Sequence, residues 1–226
     1  MARFDRLTVL NTIIEGGLVP LFYSGDLEAS KGVAGALTKG GSRVLEFTNR
    51  GDFAIDVFSE LVKVSAKQYP ELIIGVGSVE DAPTAGLYLA HGANFIVGPT
   101  FNEDVARLCN RRKVAYIPGC GSLNEIATAE EWGSEIVKIF PGESVGGPGF
   151  VKAILAPRPW TRLLPTGGVS PDEANLRLWF EAGVAAVGMG SNLVRKEWLS
   201  AGRFDAITDL TRTVLDLIRS IRTAKK

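Results

Sequence analysis

The sequence predicts an α/β fold, a (β/α)8 TIM barrel with an extra N-terminal helix and a C-terminal helix. Short apolar runs rich in β-branched residues alternate with longer amphipathic segments, which is the pattern of repeated βα units and a parallel sheet. Consecutive runs begin roughly 20 to 30 residues apart, the length of a strand, a loop and a helix. A doubly wound open sheet is the competing architecture, but no GxGxxG segment follows the first run.

Eight strands are expected from the apolar runs, at residues 18–23, 44–48, 73–76, 95–97, 115–117, 136–140, 162–165 and 186–188. Seven helices are expected between them, at residues 27–38, 54–69, 82–90, 103–111, 123–131, 150–155 and 173–182. Two more helices, 3–15 and 204–222, bracket the series, and the apolar residues of the second recur at three- and four-residue steps. The tail after 222 is expected to fray.

Length and charge exclude several classes of function. A chain of 226 residues suits one domain, 1–226, with a full core. The 25 basic and 25 acidic side chains cancel, so neither nucleic acid nor an anionic membrane is an expected partner. No run approaches about 18 apolar residues, and Cys109 and Cys120 lack CxxC spacing, so we expect a reduced, cytoplasmic protein.

The single histidine argues against a metal enzyme. His91 stands where a helix should end, and one imidazole cannot build a site of several histidines. We therefore expect no metal site.

Lys138 is the most informative residue, because it lies inside an apolar strand between Val137 and Ile139. Burial disfavours the ammonium form of lysine, and a nearby cation lowers its pKa further. The resulting neutral amine can attack a ketone and form a Schiff base. The alternative is a lysine at a strand end that reaches solvent.

Polar residues also end the second and third strands. Glu46 and Thr48 share one face of the second strand, and Arg50 follows it. A glutamate inside an apolar strand is costly unless it is paired, so a structural ion pair is the alternative to a catalytic role. Ser78 follows two glycines at the end of the third strand, and any parallel α/β protein could have such a loop.

Glycines follow the seventh and eighth strands. Gly167 and Gly168 come after Thr166, and Gly190 precedes Ser191. In (β/α)8 enzymes the loops at these two positions often bind phosphate through backbone N–H groups, with plain tight turns as the alternative.

Five ordered segments together are similar to one family, the class I aldolases that cleave 2-keto-3-deoxy-6-phosphogluconate (KDPG) and 4-hydroxy-2-oxoglutarate (KHG). They are residues 44–50, 75–79, 117–122, 137–141 and 165–171. The resemblance implies that Lys138 is the Schiff-base lysine and Glu46 the general acid and base. It implies that Arg50 and Ser78 bind the substrate carboxylate, that Thr166 contacts a substrate hydroxyl, and that the phosphate site consists of Gly167, Gly168, Gly190 and Ser191.

The resemblance also implies a substrate and an assembly. The substrate would be a small 2-keto-3-deoxy sugar acid, cleaved to pyruvate and D-glyceraldehyde 3-phosphate, and the protein would be a homotrimer without cofactors. The chain departs from the family pattern at residues 23–26, where many members carry a basic residue near the phosphate. A preference for the phosphogalactonate or for unphosphorylated KHG therefore stays open, as do a phosphate-binding barrel isomerase or synthase and a binding module.

Overall fold

A computed structural model describes residues 2–224, in which helices and strands alternate. The helices are α1 (Arg6–Gly16), α2 (Leu27–Lys39), α3 (Ala54–Gln68), α4 (Ala82–Ala90), α5 (Glu103–Arg112), α6 (Leu123–Glu131), α7 (Gly147–Leu155), α8 (Glu173–Ala182), α9 (Lys196–Ser200) and α10 (Phe204–Ala224). The strands are β1 (Leu18–Phe22), β2 (Val44–Thr48), β3 (Ile73–Gly77), β4 (Phe95–Val97), β5 (Ala115–Ile117), β6 (Gly119–Cys120), β7 (Val137–Ile139), β8 (Leu163–Pro165) and β9 (Val187–Met189).

Side chains at the helix N-termini explain why many of the helices begin where they do. An Asp, Asn or Ser side chain accepts a hydrogen bond from a backbone N–H of the first turn in six helices, which satisfies a donor that has no partner inside the helix. These N-cap residues are Asp5, Asp26, Asp81, Asn102, Ser122 and Asp172. Gly17 and Gly183 end α1 and α8 in the left-handed conformation that favours glycine.

The strands form two parallel sheets, and the expectation of one closed barrel is met only in part. Six strands have the order β5-β4-β3-β2-β1-β9, and three have the order β6-β7-β8. The predicted fifth strand, 115–117, coincides with β5, and β6 was not expected; Pro118, which has no N–H to donate to a ladder, separates the two. Between β8 and β9 the backbones meet at an isolated bridge from Thr166 to Gly188.

Alternate residues of the strands face two separate parts of the core. Inner-face residues such as Val44, Ile73 and Ile136 pack together with Val9 and Ile13 of α1. The intervening residues pack against the surrounding helices. Helix α1 therefore fills the space at the N-terminal ends of the strands, and the open end is the one where the strands finish.

The boundaries differ from the expected ones in a few places. Helix α1 begins at Arg6 instead of residue 3, and α7 begins at Gly147 instead of residue 150. Helix α9 was not expected from the sequence. Helix α10 continues to Ala224, so the expected fraying does not begin at 223, and residues 225 and 226 lie outside the described range.

Candidate active site

A cavity of about 720 Å³ opens at the C-terminal ends of the strands. Its walls come from the end of β1, the ends of β2 and β7, the loops after β8 and β9, and helix α9. Arg50 lines the cavity, and so do all five residues predicted to bind the phosphate or a substrate hydroxyl: Thr166, Gly167, Gly168, Gly190 and Ser191. The two glycine loops, which are distant in the sequence, thus form one wall.

Lys138 and Glu46 both lie on the inner face of the strands. Glu46 has the same orientation as Val44 in β2, and Lys138 the same as Ile136 in the run that leads into β7. Both side chains are buried, with 2% of Glu46 and 6% of Lys138 exposed. The lysine that reaches solvent from a strand end, the alternative left open by the sequence, does not occur.

The two buried groups shift each other's ionisation. Burial lowers the pKa of Lys138, while Glu46 opposes that shift and the Arg50 cation adds to it. Burial raises the pKa of Glu46, and the charges of Lys138 and Arg50 oppose that change. Both shifts favour the uncharged forms. Among residues 2–224, neither group forms an ion pair within 4.0 Å, so Glu46 is not the partner of a direct structural salt bridge.

Phe140 connects the buried lysine with the cavity. The Lys138 Nζ lies 4.8 Å from the centre of the Phe140 ring, and Phe140 lines the cavity. Thr48 lies two residues after Glu46 on the same face of β2, and it also lines the cavity. Lys138 and Glu46 therefore lie beneath the cavity floor, although they are not themselves among its lining residues.

Arg50 and Ser78 come together although 28 residues separate them in the sequence. The Arg50 Nε donates to the Ser78 Oγ at 3.4 Å. Arg50 is exposed and lines the cavity. Ser78 does not line the cavity but contacts Arg50, which does. Ser78 has a φ of 59°, a left-handed conformation that is unusual for serine and holds its hydroxyl beside the guanidinium.

The loop after β8 has a backbone conformation that favours glycine. Gly167 and Gly168 have φ angles of 92° and 79°, which favour glycine. The Asn192 side chain donates to the backbone O of Val169 at 2.7 Å and so joins the loop after β9 to the loop after β8. Within the described residues the buried Thr166 Oγ1 has no hydrogen-bond partner, and Thr166 lines the cavity.

Other lining residues were not among the predicted site residues. Tyr23 and Ser24 follow β1, and Lys196 begins α9. Lys196 follows the Gly190–Ser191 loop by only a few residues, but no spacing pattern connects it with a site. His91 does not line this cavity, and its Nδ1 lies 2.6 Å from the Ser59 Oγ.

Comparison with known proteins identifies the family. A family model described as KDPG and KHG aldolase matches residues 9–210. The chain belongs to the KDPG and KHG aldolase family. It is 34% identical over 212 residues to the 2-dehydro-3-deoxy-phosphogluconate aldolase of Pseudoalteromonas atlantica, covering 94% of this chain and 96% of that one. It is also 34% identical over 202 residues to the KHG/KDPG aldolase of Escherichia coli, covering 89% and 92%.

A solved aldolase structure adds a chemical observation. The KDPG aldolase of Legionella pneumophila, with pyruvate captured as a covalent carbinolamine intermediate, superimposes with a TM-score of 0.79 at 28% identity, over 90% of this chain and 96% of that one. The family predicted from the five sequence segments is thus confirmed.

Residues 2–224 contain no helix long and apolar enough to span a membrane. Nor do they hold a cluster of three or more His, Cys, Asp and Glu side chains arranged for a metal ion.

Proposed function

We propose that this chain is a class I aldolase that reversibly cleaves KDPG to pyruvate and D-glyceraldehyde 3-phosphate. The observation that carries the proposal is the burial of Lys138 and Glu46 on one inner face, directly beneath the cavity. A buried lysine costs free energy unless it has a chemical use. An amine with a lowered pKa, next to a carboxyl group that can exchange protons with it, is what imine formation requires.

The reaction follows from these two side chains. The neutral amine of Lys138 attacks C2 of the keto acid, and the resulting carbinolamine takes up a proton from the solvent and loses water to become a protonated imine. Glu46 takes the proton of the C4 hydroxyl as the C3–C4 bond breaks, and the bonding electron pair moves into the imine. The aldehyde leaves, a proton returns to C3 of the enamine, and water releases pyruvate and restores the amine.

The cavity accounts for the two ends of the substrate. Arg50, held against Ser78, binds the carboxylate next to the reacting ketone, because a guanidinium can contact a carboxylate through two parallel hydrogen bonds. The N–H groups of Gly167, Gly168, Gly190 and Ser191 bind the phosphate at the other end. The free Thr166 hydroxyl contacts a hydroxyl of the carbon chain between them.

Cleavage of KHG to pyruvate and glyoxylate is a second activity of the same site, since it needs Lys138, Glu46 and Arg50 but no phosphate. The phosphogalactonate differs from KDPG in the configuration of one hydroxyl-bearing carbon and is the alternative substrate. Family membership favours all three over the phosphate-binding isomerase and over the binding module that the sequence alone left open.

Trapping with sodium borohydride tests the mechanism. Pyruvate and borohydride are expected to add one reduced pyruvyl group, located by peptide mapping on Lys138. The Lys138→Ala variant should take up none and lose turnover, whereas Lys67→Ala, which changes an exposed lysine at the end of α3, should behave as the unmodified protein. An adduct on another lysine, or full turnover in Lys138→Ala, would contradict the proposal.

The proposed enzyme is a single-domain barrel that assembles as a homotrimer. We infer that residues 1–226 form one catalytic domain and that the two sheets are parts of one eight-stranded (β/α)8 barrel, with β5 and β6 as one strand. Two links support this: the chain runs directly from β5 to β6 across Pro118, and Thr166 bridges to Gly188. We also propose a cytoplasmic homotrimer, by resemblance to the family. Light scattering on the purified protein tests the trimer, and a monomer would contradict it.

A further inference from the structure

Lys196 supplies a positive charge on the side of the cavity that carries the glycine loops. It is the first residue of α9, and it lines the cavity together with Gly167, Gly168, Gly190 and Ser191. The loop before it turns back sharply, because the N–H groups of Leu193 and Val194 both donate to the backbone O of Gly190 at 2.9 Å. This turn returns the chain to the cavity at Lys196.

Few charged side chains of residues 2–224 line the cavity, and Lys196 is one of them. Arg50 and Lys196 are its two basic lining residues within the described part of the chain, and no Asp or Glu of that part lines it. Arg50 is held by Ser78 and acts on the ionisation of Lys138 and Glu46, so it belongs to the end where the keto acid reacts. A phosphate dianion at the glycine loops would otherwise meet only neutral backbone N–H groups and hydroxyls.

The Lys196 ammonium is available for a ligand. Among residues 2–224 it has no hydrogen bond or ion pair. Its neighbour Arg195 differs, since its guanidinium lies 4.5 Å from the centre of the Trp198 ring and it does not line the cavity. The Asn192 side chain, bonded to Val169, holds the loop that leads to Lys196 against the Gly167–Gly168 loop.

We propose that Lys196 is a specificity-determining residue that binds the substrate's phosphate group and makes the enzyme prefer phosphorylated 2-keto-3-deoxy acids to unphosphorylated ones. This inference rests on the proposed aldolase function and goes beyond it, because the position of the cation could not be found from the sequence. A flexible ammonium suits this role, since it contacts phosphate as a point charge while the glycine loops fix the geometry.

The test compares two substrates in four proteins: the unmodified enzyme, Lys196→Gln, Lys196→Arg and the control Lys67→Gln. The ratio of kcat/KM for KDPG to kcat/KM for KHG is expected to fall roughly tenfold or more in Lys196→Gln, the loss typical of a hydrogen bond to a charged group. The fall should appear mainly in the KM for KDPG. Lys196→Arg should keep most of the ratio, and Lys67→Gln all of it.

Inorganic phosphate gives a second readout that does not depend on turnover. Calorimetry should detect phosphate binding to the unmodified enzyme and to Lys67→Gln, and weaker binding to Lys196→Gln. An unchanged substrate ratio in Lys196→Gln, with unchanged phosphate binding, overturns the role of Lys196. If the unmodified protein forms no pyruvate adduct, the aldolase proposal fails, and the calorimetric comparison still decides whether Lys196 binds phosphate.

Discussion

Lys138 and Glu46 are buried together, and burial changes the pKa values of a base and an acid in opposite directions. Burial thus favours the neutral, nucleophilic amine of Lys138 and the protonated carboxyl of Glu46. Once an imine cation replaces the neutral amine, a positive charge stands beside Glu46 and favours its carboxylate. In the proposed mechanism Glu46 then acts as a base at the step that needs one, so the two burial effects favour consecutive steps of that mechanism.

We predict that Glu46→Gln separates imine formation from bond cleavage. The amide keeps the shape of the side chain but cannot take the C4 proton, so kcat for KDPG should fall by roughly 10²- to 10⁴-fold, the usual contribution of a general base. Borohydride trapping of pyruvate on Lys138 should persist. The control Glu71→Gln changes an exposed residue and should leave kcat unchanged. A variant that cleaves KDPG normally would remove Glu46 from the mechanism.

We predict that Arg50→Gln changes the pH dependence of the reaction. Burial is the main cause of the lowered pKa of Lys138 and the raised pKa of Glu46, but the Arg50 cation lowers both values. Without it both pKa values rise, so the neutral amine and the carboxylate become available only at higher pH. We expect the acidic limb of the kcat/KM profile for KHG to move to higher pH, in addition to an increase in KM.

The matched control for this profile is Arg212→Gln, which removes an exposed arginine paired with Asp209 on α10. Its acidic limb should coincide with that of the unmodified enzyme. An Arg50→Gln profile with an unmoved acidic limb would mean that Arg50 only binds the carboxylate and does not influence the buried pair.

Among the single elements, strand β3 makes room for the Glu46 side chain of β2. Glu46 of β2 pairs with Gly75, and Thr48 pairs with Gly77. A Cβ added at Gly77 would overlap with the Glu46 Oε1, and one added at Gly75 would overlap with the ring of Phe95. Gly77 therefore leaves the space into which the Glu46 carboxylate extends, and Gly75 leaves the space that the Phe95 ring fills.

We predict that Gly77→Ala displaces the Glu46 carboxylate and lowers kcat at least tenfold, while unfolding in urea shows a loss of about 1–3 kcal/mol, the usual cost of overpacking. In the control Gly149→Ala, no atom lies within 4 Å of the added Cβ, so kcat and stability should not fall. Full activity in Gly77→Ala would show that Glu46 can move without consequence.

The sequence predicted the repeated elements well because each combines a periodic apolar pattern with a clear boundary residue, such as Asp26 before α2. It failed where the local signal was short or ambiguous. Gly147-Pro148-Gly149 has the composition of a loop, yet it forms the first turn of α7. Helix α9 has five residues, too few for a period, and Lys196 was missed with it.

The candidate site was predictable to a similar extent. Glu46 and Lys138 stand out as charged residues within apolar strands. The contact of Arg50 with Ser78 and the meeting of the two glycine loops depend on how distant strands are arranged. They were therefore expected from the barrel order and the family resemblance, and not from local patterns. The roles of these residues stay predictions until the variants are measured.

At the scale of the whole molecule, Arg222 connects the two ends of the chain. Its Nη1 donates to the backbone O of Ile14 at 2.8 Å and of Glu15 at 3.0 Å, and its Nη2 donates to that of Ala185. Ile14 and Glu15 lie in the last turn of α1, where carbonyl groups lack partners and a cation is favourable. Ala185 leads into β9, which pairs with β1.

We predict that Arg222→Met lowers the free energy of unfolding by about 2–4 kcal/mol, because carbonyl groups of three different residues lose a charged donor. The contacts lie at the N-terminal ends of the strands, away from the cavity, so kcat and KM at 25 °C should not change. Arg219→Met, which breaks one exposed ion pair with Asp216, should cost no more than about 0.5 kcal/mol. If both variants lose the same stability in urea, the connection through Arg222 does not hold α1, β9 and α10 together, and the packing of α1 against the inner face alone closes that end of the molecule.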